Sequence, residues 1–319
     1  MKKLLTLIAA VTLLTACGEK STRPLQLNPR AEFTIMSPTG APSLAFYNCV
    51  RYNRFETNAD PSTGILPLMI AGQKDVVVLP TNAGMQAILS RGAQYKIAAT
   101  VSFGNFYLVS MGNDANNEIG ADDNIVLFQK GNVPDKIFHY IYGNDLDAGI
   151  HYLPAVSDAA SAAIGGSYVD AESGERLVPN YVLLAQPVLT NVLAKNTSVS
   201  VYANIQEKYK EKSNNLPLFQ ASIFVKNDLD KKKVDRFLFS IKEDVINAID
   251  DPDKITNALE GMENANQVFG VAPSLAVTVT KNNNGMGLGF EYAKDNKEAI
   301  ANFLKLFNIE GYSEEVYYQ

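Results

Sequence analysis

Two short runs of the sequence place a proline, a hydroxyl side chain and small residues directly after an apolar segment. They read SPTGA at 37–41 and LPTNAG at 79–84. In each run the proline restricts the turn, the hydroxyl can cap a helix, and the small residues leave the first amide groups of that helix uncovered. Uncovered amides bind a carboxylate, a phosphate, a sulfonate or the acceptor atoms of a heterocycle. The alternative is that both runs are ordinary capped helix starts.

Other residue types that carry chemistry are sparse. The two histidines, His139 and His151, lack metal-ligand spacing, and no HExxH, GxSxG or phosphate-cradling glycine loop is present. The acidic groups at 122–123 and 250–253 lack the spacing of a calcium loop. We therefore expect no catalytic residue, no metal and no cofactor, and we predict that the histidines are solvated or cap helices.

The elements that position the two runs alternate between strand and helix. A strand at 33–36 precedes a helix predicted at 43–52, and the β-branched strand at 75–79 precedes a helix at 83–90. The same alternation continues to about residue 190. It predicts parallel sheets covered by helices, and hence the α/β class.

The last third of the chain has a different pattern. After a strand at 221–225 the periodicity is mostly helical, and the Asn- and Gly-rich stretch at 281–289 predicts a mobile loop. This order fits two βα lobes joined by crossings near 108–124 and 215–222, with a helical C-terminal segment that returns to the first lobe.

Composition limits the classes of function. The chain has 319 residues, 46% of them hydrophobic, and a formal net charge of −6, which argues against nucleic-acid binding. A chain of this length usually forms more than one core. Of its two cysteines, only Cys49 lies in the body, among apolar neighbours, so we predict a small buried thiol and no intrachain disulfide.

The first residues have the order of an export signal. Lys2 and Lys3 precede an apolar stretch at 4–14, which is shorter than the roughly 20 residues of a membrane span. The LTAC that ends at Cys17 resembles the lipobox of bacterial lipoproteins. The resemblance implies a diacylglyceryl group on Cys17, which would become the mature N-terminus. The alternative is an ordinary secretory signal with a chance cysteine.

These observations divide the chain into four parts. We expect a signal peptide and lipobox at 1–17, a flexible tether at 18–31, a discontinuous first lobe at 32–108 and 223–319, and a second lobe at 109–222. The location that follows is a membrane, with the lipid-anchored body facing outside the cytoplasm, at the cell surface or in the periplasm.

A long segment resembles a known family. The run at 74–110, KDVVVLPTNAGMQAILSRGAQYKIAATVSFGNFYLVS, is similar to ABC transporter solute-binding proteins of the nitrate, sulfonate, taurine and thiamine-pyrimidine-precursor group. That group pairs a D-[IV]-x-[IV]-x-P-[TS]-N segment with a G-N-x-Y-x-[VL] strand. Stretches at 37–43, 156–163, 178–190 and 216–229 agree in the same order. The resemblance implies a periplasmic-binding-protein-like type II fold whose two lobes close on a small molecule and present it to a permease.

The resemblance also implies a ligand pocket. Its expected members are Ser37, Thr39, Gly40, Thr81, Asn82, Gly104, Asn105, Tyr107, Gln129, Gly131, Gln186 and Phe219. Many relatives carry Glu where this chain has Gln186, which argues against a cationic ligand. The stretch at 166–179 is longer and more polar than a plain turn, and we predict a surface hairpin there.

The loops after the strands suggest the class of ligand. Apart from Lys130 they contain no Arg or Lys, although bidentate binding of a sulfonate or carboxylate usually employs Arg. Asn and Gln among aromatic residues suit a neutral or weakly anionic, planar, hydrogen-bonding molecule. The expected partners are that molecule, a permease, an ATPase and the membrane, and the expected state is a monomer.

Two other functions stay open at this point. The same fold hosts enzymes of thiamine-pyrimidine and menaquinone synthesis, so the fold alone does not exclude catalysis on a pyrimidine-like or aromatic molecule. A surface lipoprotein that binds a protein partner and no small ligand is the third possibility.

Overall fold

The computed structural model of the protein describes residues 28–52, 54–112 and 118–319. The predicted signal peptide, Cys17 and most of the predicted tether lie outside the described residues. The end of the predicted tether is folded, which corrects the expected boundary at residue 32. Residues 29–31 form a 3-10 turn, and the Arg30 guanidinium makes two hydrogen bonds to the buried Asp244 carboxylate.

The strands of the described chain are β1 (Ile35–Pro38), β2 (Phe55–Asn58), β3 (Val76–Pro80), β4 (Tyr95–Ser102), β5 (Phe106–Ser110), β6 (Asn124–Phe128), β7 (Gly149–Leu153), β8 (Tyr168–Val169), β9 (Arg176–Leu177), β10 (Tyr181–Ala185), β11 (Ser200–Asn204), β12 (Ala221–Lys226) and β13 (Leu288–Tyr292).

The α-helices are α1 (Ala41–Leu44), α2 (Leu66–Ile70), α3 (Thr81–Arg91), α4 (Val133–Tyr142), α5 (Val156–Gly165), α6 (Val188–Lys195), α7 (Ile205–Lys212), α8 (Lys231–Asp250), α9 (Asp253–Leu259), α10 (Ala265–Phe269), α11 (Pro273–Lys281) and α12 (Lys297–Lys305). Short 3-10 or π turns occupy Pro29–Ala31, Val50–Tyr52, Pro61–Ile65, Ala293–Asp295 and Glu314–Val316. None of the described helices is both long and apolar enough to cross a membrane.

Two mixed sheets form the centre of the molecule. The first has the order β13-β4-β12-β3-β1-β2 and the second has the order β11-β5-β10-β6-β7. Strands β1, β2 and β3 are parallel, as are β6, β7 and β10, whereas β12 runs antiparallel to β3 and β5 runs antiparallel to β10. The expected α/β class is confirmed, but the sheets are not purely parallel.

The chain crosses between the sheets earlier than expected. Strand β4 belongs to the first sheet and β5 to the second, so the first crossing lies at residues 103–105. The return crossing lies between α7 and β12, at residues 213–220. Both crossings are short, and this holds the two sheets close together.

The first sheet is covered on both faces. Val77 and Leu79 point into a core that continues into the second sheet, whereas Val76 and Val78 point into a separate core beneath α8. Successive strand side chains face opposite ways, so this all-apolar strand must be buried on both sides. Helices α3 and α8 therefore lie on opposite faces of the first sheet.

Two local predictions were wrong. The helix expected at 43–52 is only the four-residue α1, followed by turns and the 3-10 turn at Val50–Tyr52, because the chain turns toward β2. The stretch at 281–289 is not simply a loop, since β13 begins at Leu288 and pairs with β4. The predicted hairpin at 166–179 is confirmed as the β8–β9 pair.

Candidate functional site

The second proline-threonine run begins the eleven-residue helix α3. Thr81 is fully buried, and its Oγ1 lies 2.7 Å from Ser222 Oγ, which lies 2.8 Å from Thr100 Oγ1. The Thr81 amide donates to the Gln220 carbonyl oxygen at 3.1 Å. These contacts fix the start of α3 against β12 and the return crossing.

Asn82 is the second residue of α3 and provides the site with a buried acceptor. Its side-chain Oδ1 is buried and has no hydrogen-bond partner in the described part of the chain. The first amides of a helix have no acceptor within that helix. A buried polar atom without a partner costs about 1–3 kcal/mol. The start of α3 thus provides polar groups that a bound molecule would satisfy.

A continuous set of hydrogen bonds joins the two sheets at the crossings. Gln220 Nε2 donates to Asn105 Oδ1 at 3.4 Å, and Asn105 Nδ2 donates to the Gln186 carbonyl at 2.6 Å. The Gln186 amide in turn donates to the Asn105 carbonyl at 2.8 Å. We call Thr81, Gln220, Asn105 and Gln186 the crossing path. It connects the carboxyl end of β3 in the first sheet to the carboxyl end of β10 in the second.

The position of the crossing path matters because ligands of open α/β sheets bind outside the carboxyl ends of the strands. Strands β1 and β3 are parallel neighbours in the first sheet, and β10 and β6 are parallel neighbours in the second. Both carboxyl edges therefore meet at the crossings. Gln220, which sequence reasoning did not select, is the residue that connects them.

Gln186 has a different role from the one expected. Its Oε1 accepts hydrogen bonds from the Thr190 hydroxyl at 2.8 Å and from the Thr190 amide at 3.3 Å. The side-chain oxygen thus binds the first turn of α6, the helix that begins two residues later. Gln186 contributes to the site through its backbone, in the crossing path.

Two backbone amides of the first proline-threonine run have acceptors elsewhere in the chain. The Thr39 amide donates to the Asn58 carbonyl at 3.2 Å, and the Gly40 amide donates to the Phe269 carbonyl at 2.6 Å. Ser37 is fully buried, with its hydroxyl donating to the Pro38 carbonyl at 3.1 Å. These two amides precede α1 and are bound by carbonyls of β2 and α10, so the turn of the first run is packed against both elements.

The second sheet presents an exposed loop at the carboxyl end of β6. Gln129 and Gly131 both have positive φ angles, of 55° and 82°. The Gln129 amide donates to the Leu153 carbonyl at 3.0 Å, and the Gly131 amide donates to Asp135 Oδ2 at 2.7 Å. Both predicted residues therefore lie at the carboxyl edge of the second sheet, in a loop of defined shape.

A buried cluster beneath this loop was missed by sequence reasoning. Asp135 is 5% exposed, and besides the Gly131 amide it accepts a hydrogen bond from the Tyr152 hydroxyl at 2.9 Å. His139 Nε2 lies 3.2 Å from Asp135 Oδ1 and 3.1 Å from Tyr152 Oη. Burial and the bond to Asp135 raise the pKa of Tyr152. His139 Nδ1 lies 3.2 Å from the Gly143 carbonyl at the end of α4, as expected for a capping residue.

The remaining predicted residues lie at the first crossing. Gly104 is buried, with a φ of 97°, and Phe219 is fully buried with its ring edge-to-face on Phe103. Phe219 thus has no exposed surface for a ligand, contrary to expectation. Tyr107 is half-buried, which raises the pKa of its hydroxyl.

The Asn- and Gly-rich stretch packs against the first crossing. The Phe103 amide donates to the Gly287 carbonyl at 2.8 Å, and a Cβ added at Gly287 would lie 2.0 Å from the Gly104 carbonyl oxygen. Only glycine permits this close approach of two backbones. The stretch is therefore part of the support of the crossings.

The histidine outside this region has a structural contact. His151 Nδ1 lies 3.0 Å from Asp170 in the β8–β9 hairpin. Hydrogen bonds from Ser173 and from His151 hold the pKa of Asp170 far below its usual value. Among the residues that the structure describes, no three His, Cys, Asp or Glu side chains form a metal-type cluster.

No family model and no curated protein sequence matches this chain. Solved structures do match. An ABC transporter protein from Parabacteroides distasonis is 18% identical, with a TM-score of 0.66 over 86% of this chain and 91% of that chain. The periplasmic aliphatic sulphonate binding protein SsuA of Escherichia coli is 12% identical, with a TM-score of 0.60 over 86% of this chain and 85% of that chain.

A third structure is the alkanesulfonate-binding protein SsuA from Xanthomonas axonopodis pv. citri, bound to MOPS. It is 14% identical, with a TM-score of 0.54 over 86% of this chain and 91% of that chain. Matches at such low identity establish a shared fold. The chain therefore has the two-lobed α/β fold of the periplasmic-binding-protein-like type, as the sequence predicted.

Proposed function

We propose that this protein is the membrane-tethered solute-binding component of an ABC importer and captures a small molecule by closure of its two lobes. The observation that carries the proposal is the crossing path, which brings the carboxyl edges of both sheets together. Next to it lies the buried Asn82 Oδ1, which has no hydrogen-bond partner among the described residues. The solved structures with this fold, which include two sulfonate-binding proteins, support the same function.

Closure follows from the arrangement of the two edges. Thr81 and Asn82 belong to the first lobe, and the loop with Gln129 and Gly131 belongs to the second. A molecule that contacts both sets only in the closed state shifts the open and closed populations by its difference in affinity for them. The short crossings at 103–105 and 213–220 are the segments that must bend.

The proposed ligand is neutral or weakly anionic, planar and rich in hydrogen-bonding groups. The side chains of the crossing path are hydroxyls and amides, and the guanidiniums of Arg51 and Arg176 bind elsewhere. Arg51 donates to the Ala258 carbonyl, and Arg176 donates to the Ser167 hydroxyl. Lys130 Nζ lies 4.8 Å from the centre of the Tyr152 ring. A strongly anionic ligand would thus lack the bidentate arginine that usually binds it.

The tether completes the proposed function. A diacylglyceryl group on Cys17 would confine the receptor near its permease and raise the effective concentration without any new contact. The partners that follow are the permease and ATPase subunits, with the receptor itself a monomer and not an enzyme. This part of the proposal is supported by the lipobox-like sequence.

Equilibrium unfolding with a panel of compounds tests the proposal. The panel contains alkanesulfonates, taurine, nitrate, pyrimidines, a pyrimidine vitamin precursor and amino acids. One class should raise the free energy of unfolding by about 2.7 kcal/mol at a hundredfold excess over the dissociation constant. Asn82→Ala should abolish this stabilisation, whereas Thr39→Ala, the matched control in the first run, should retain it.

Three results would contradict the proposal. No stabilisation by any compound would favour a protein that binds another protein. Chemical turnover of a stabilising compound, measured by mass spectrometry, would favour an enzyme. Undiminished stabilisation of Asn82→Ala would exclude the start of α3 from the site.

A further inference from the structure

We propose that the outer face of α8 lies against the lipid bilayer that anchors the chain. This face is defined by Lys232, Arg236, Phe239, Glu243 and Ile246. The inference rests on the proposed lipid group at Cys17 and adds an orientation to it. The partner is the bilayer surface, with its phosphate headgroups and acyl boundary.

The outer face of α8 exposes large apolar side chains. Phe239 is 59% exposed and Ile246 is 40% exposed, whereas Phe237, Leu238 and Ile241 on the inner face are buried. Phe239 and Ile246 are seven residues apart, two helical turns, so they lie on the same stripe of the helix. Lys232 is on that stripe one heptad earlier, and Arg236 precedes Phe239 by three residues. The charges around them are balanced, since Arg236 pairs with Glu32 and Lys231 pairs with Asp235. The exposed aromatic and aliphatic side chains are therefore what suits the headgroup boundary of a bilayer.

The described chain begins at this same face. Asn28, Pro29 and Glu32 line a surface groove together with four residues of α8, which are Asp235, Arg236, Phe239 and Ser240. The bonds between Arg30 and Asp244 fasten the start of the described chain to the same helix. The segment that leads back to Cys17 therefore starts beside Phe239.

The length of that segment limits the orientation. Ten residues separate Cys17 from Asn28, and a fully extended chain of that length spans at most about 40 Å. A folded chain of this size is about 50 Å across, and the path around it is longer. A bilayer placed against α8 lies where that segment starts, whereas one placed against α3 lies behind the first sheet, on the side away from that start.

Fluorescence energy transfer to labelled lipids tests the orientation. The lipidated chain is placed in vesicles of phosphatidylcholine and phosphatidylglycerol that contain a headgroup acceptor. A donor is attached in turn at Glu243→Cys on α8 and at Ser90→Cys on α3. Cys49 does not interfere, because it is 1% exposed and its burial raises the pKa of the thiol. Transfer should be several-fold stronger from the α8 position.

A second pair of variants tests the apolar contact. The double variant Phe239→Ser with Ile246→Ser should reduce transfer from the α8 position at least twofold, with unchanged unfolding, because both side chains are exposed. Leu89→Ser on α3, where the native leucine is 39% exposed, is the matched control and should change nothing.

Each other outcome overturns the inference. Equal or stronger transfer from the Ser90 position places another face on the bilayer. Self-association of the chain through α8, measured by light scattering and lost in the double variant, assigns the face to a second copy. Mass spectrometry of Cys17 separates the two proposals. A missing acyl group overturns the anchor and the orientation together, whereas an anchored chain with reversed transfer overturns only the orientation.

Discussion

The two proline-threonine runs look alike in sequence and differ in structure. Both follow neighbouring parallel strands of the first sheet. The run at 79–84 begins an eleven-residue helix whose start is joined to the crossing path. The run at 37–41 leads into a four-residue helix, and its Gly40 amide is occupied by the Phe269 carbonyl.

The difference shows that a local pattern sets the turn but not its accessibility. Phe269 lies 229 residues after Gly40, and its carbonyl accepts the Gly40 amide of the first run. At the second run the Gln220 carbonyl accepts the Thr81 amide in a similar way, but Asn82 Oδ1 has no hydrogen-bond partner among the described residues. This long-range packing supports our proposal that the ligand binds at the second run.

The largest expected effect is a loss of stability when glycines that pack against the first crossing and against the first run are substituted. Gly287 and Gly270 both have a φ of 65°. A Cβ at Gly287 meets the Gly104 backbone at 2.0 Å, whereas one at Gly270 meets the Thr39 side chain at 2.7 Å. Gly287→Ala should lower the free energy of unfolding by about 3–5 kcal/mol, from backbone strain and overpacking together, and Gly270→Ala by about 2 kcal/mol. Urea unfolding measures both.

A third glycine controls for the backbone conformation. Gly92 has a φ of 69° with nothing within 4 Å of an added Cβ, so Gly92→Ala should cost only about 1 kcal/mol. Equal losses for all three variants would mean that the close packing at the crossing adds nothing.

The next effect concerns the link between the sheets. Asn105→Ala removes the donor to the Gln186 carbonyl and the acceptor for Gln220. Because a buried carbonyl then has no partner, the free energy of unfolding should fall by about 1–3 kcal/mol. Calorimetry should also show broader unfolding as the sheets lose cooperativity. Asn58→Ala, beside the first run, should cost less than about 1 kcal/mol, and the opposite order would refute the special role of Asn105.

A smaller loss of stability is expected when the threonine of each run is replaced by valine. Thr81→Val removes a hydroxyl from the buried set with Ser222 and Thr100 and should cost about 1–2 kcal/mol. Thr39→Val removes a hydroxyl that has no hydrogen-bond partner among the described residues, so its effect should stay within about 0.5 kcal/mol. Chemical denaturation of the pair measures the difference, and equal losses would contradict it.

The smallest expected effect is in the β8–β9 hairpin, which lies outside both runs and serves as a reference region. The pKa of Asp170 is lowered by Ser173 and His151, so its ionised form stabilises the β8–β9 hairpin. That contribution is present above the unfolded pKa of about 4 and is lost as the pH falls through the lower folded value. NMR signals of the Ser173 amide should shift in acid. They should not shift in Asp170→Asn, and the Thr81 amide should respond in neither protein.

Part of the fold and site could be predicted because their causes are local. The β-branched strand before Thr81, the hairpin at 166–179 and the buried Cys49 follow from patterning and composition. Other features depend on distant residues. The contact of Gly287 with Gly104 needs the first crossing, which lies much earlier in the chain. The Asp135 cluster draws its tyrosine from β7, and Phe219 is buried by Phe103. No spacing within a short window encodes these contacts.

The most direct test of the central claim is a crystal structure of the protein with the compound that stabilises it most. The account predicts that the compound lies between the sheets, within hydrogen-bonding distance of the Asn82 side chain and of the loop that contains Gly131. A compound bound to one sheet alone, or bound away from the start of α3, would contradict the account.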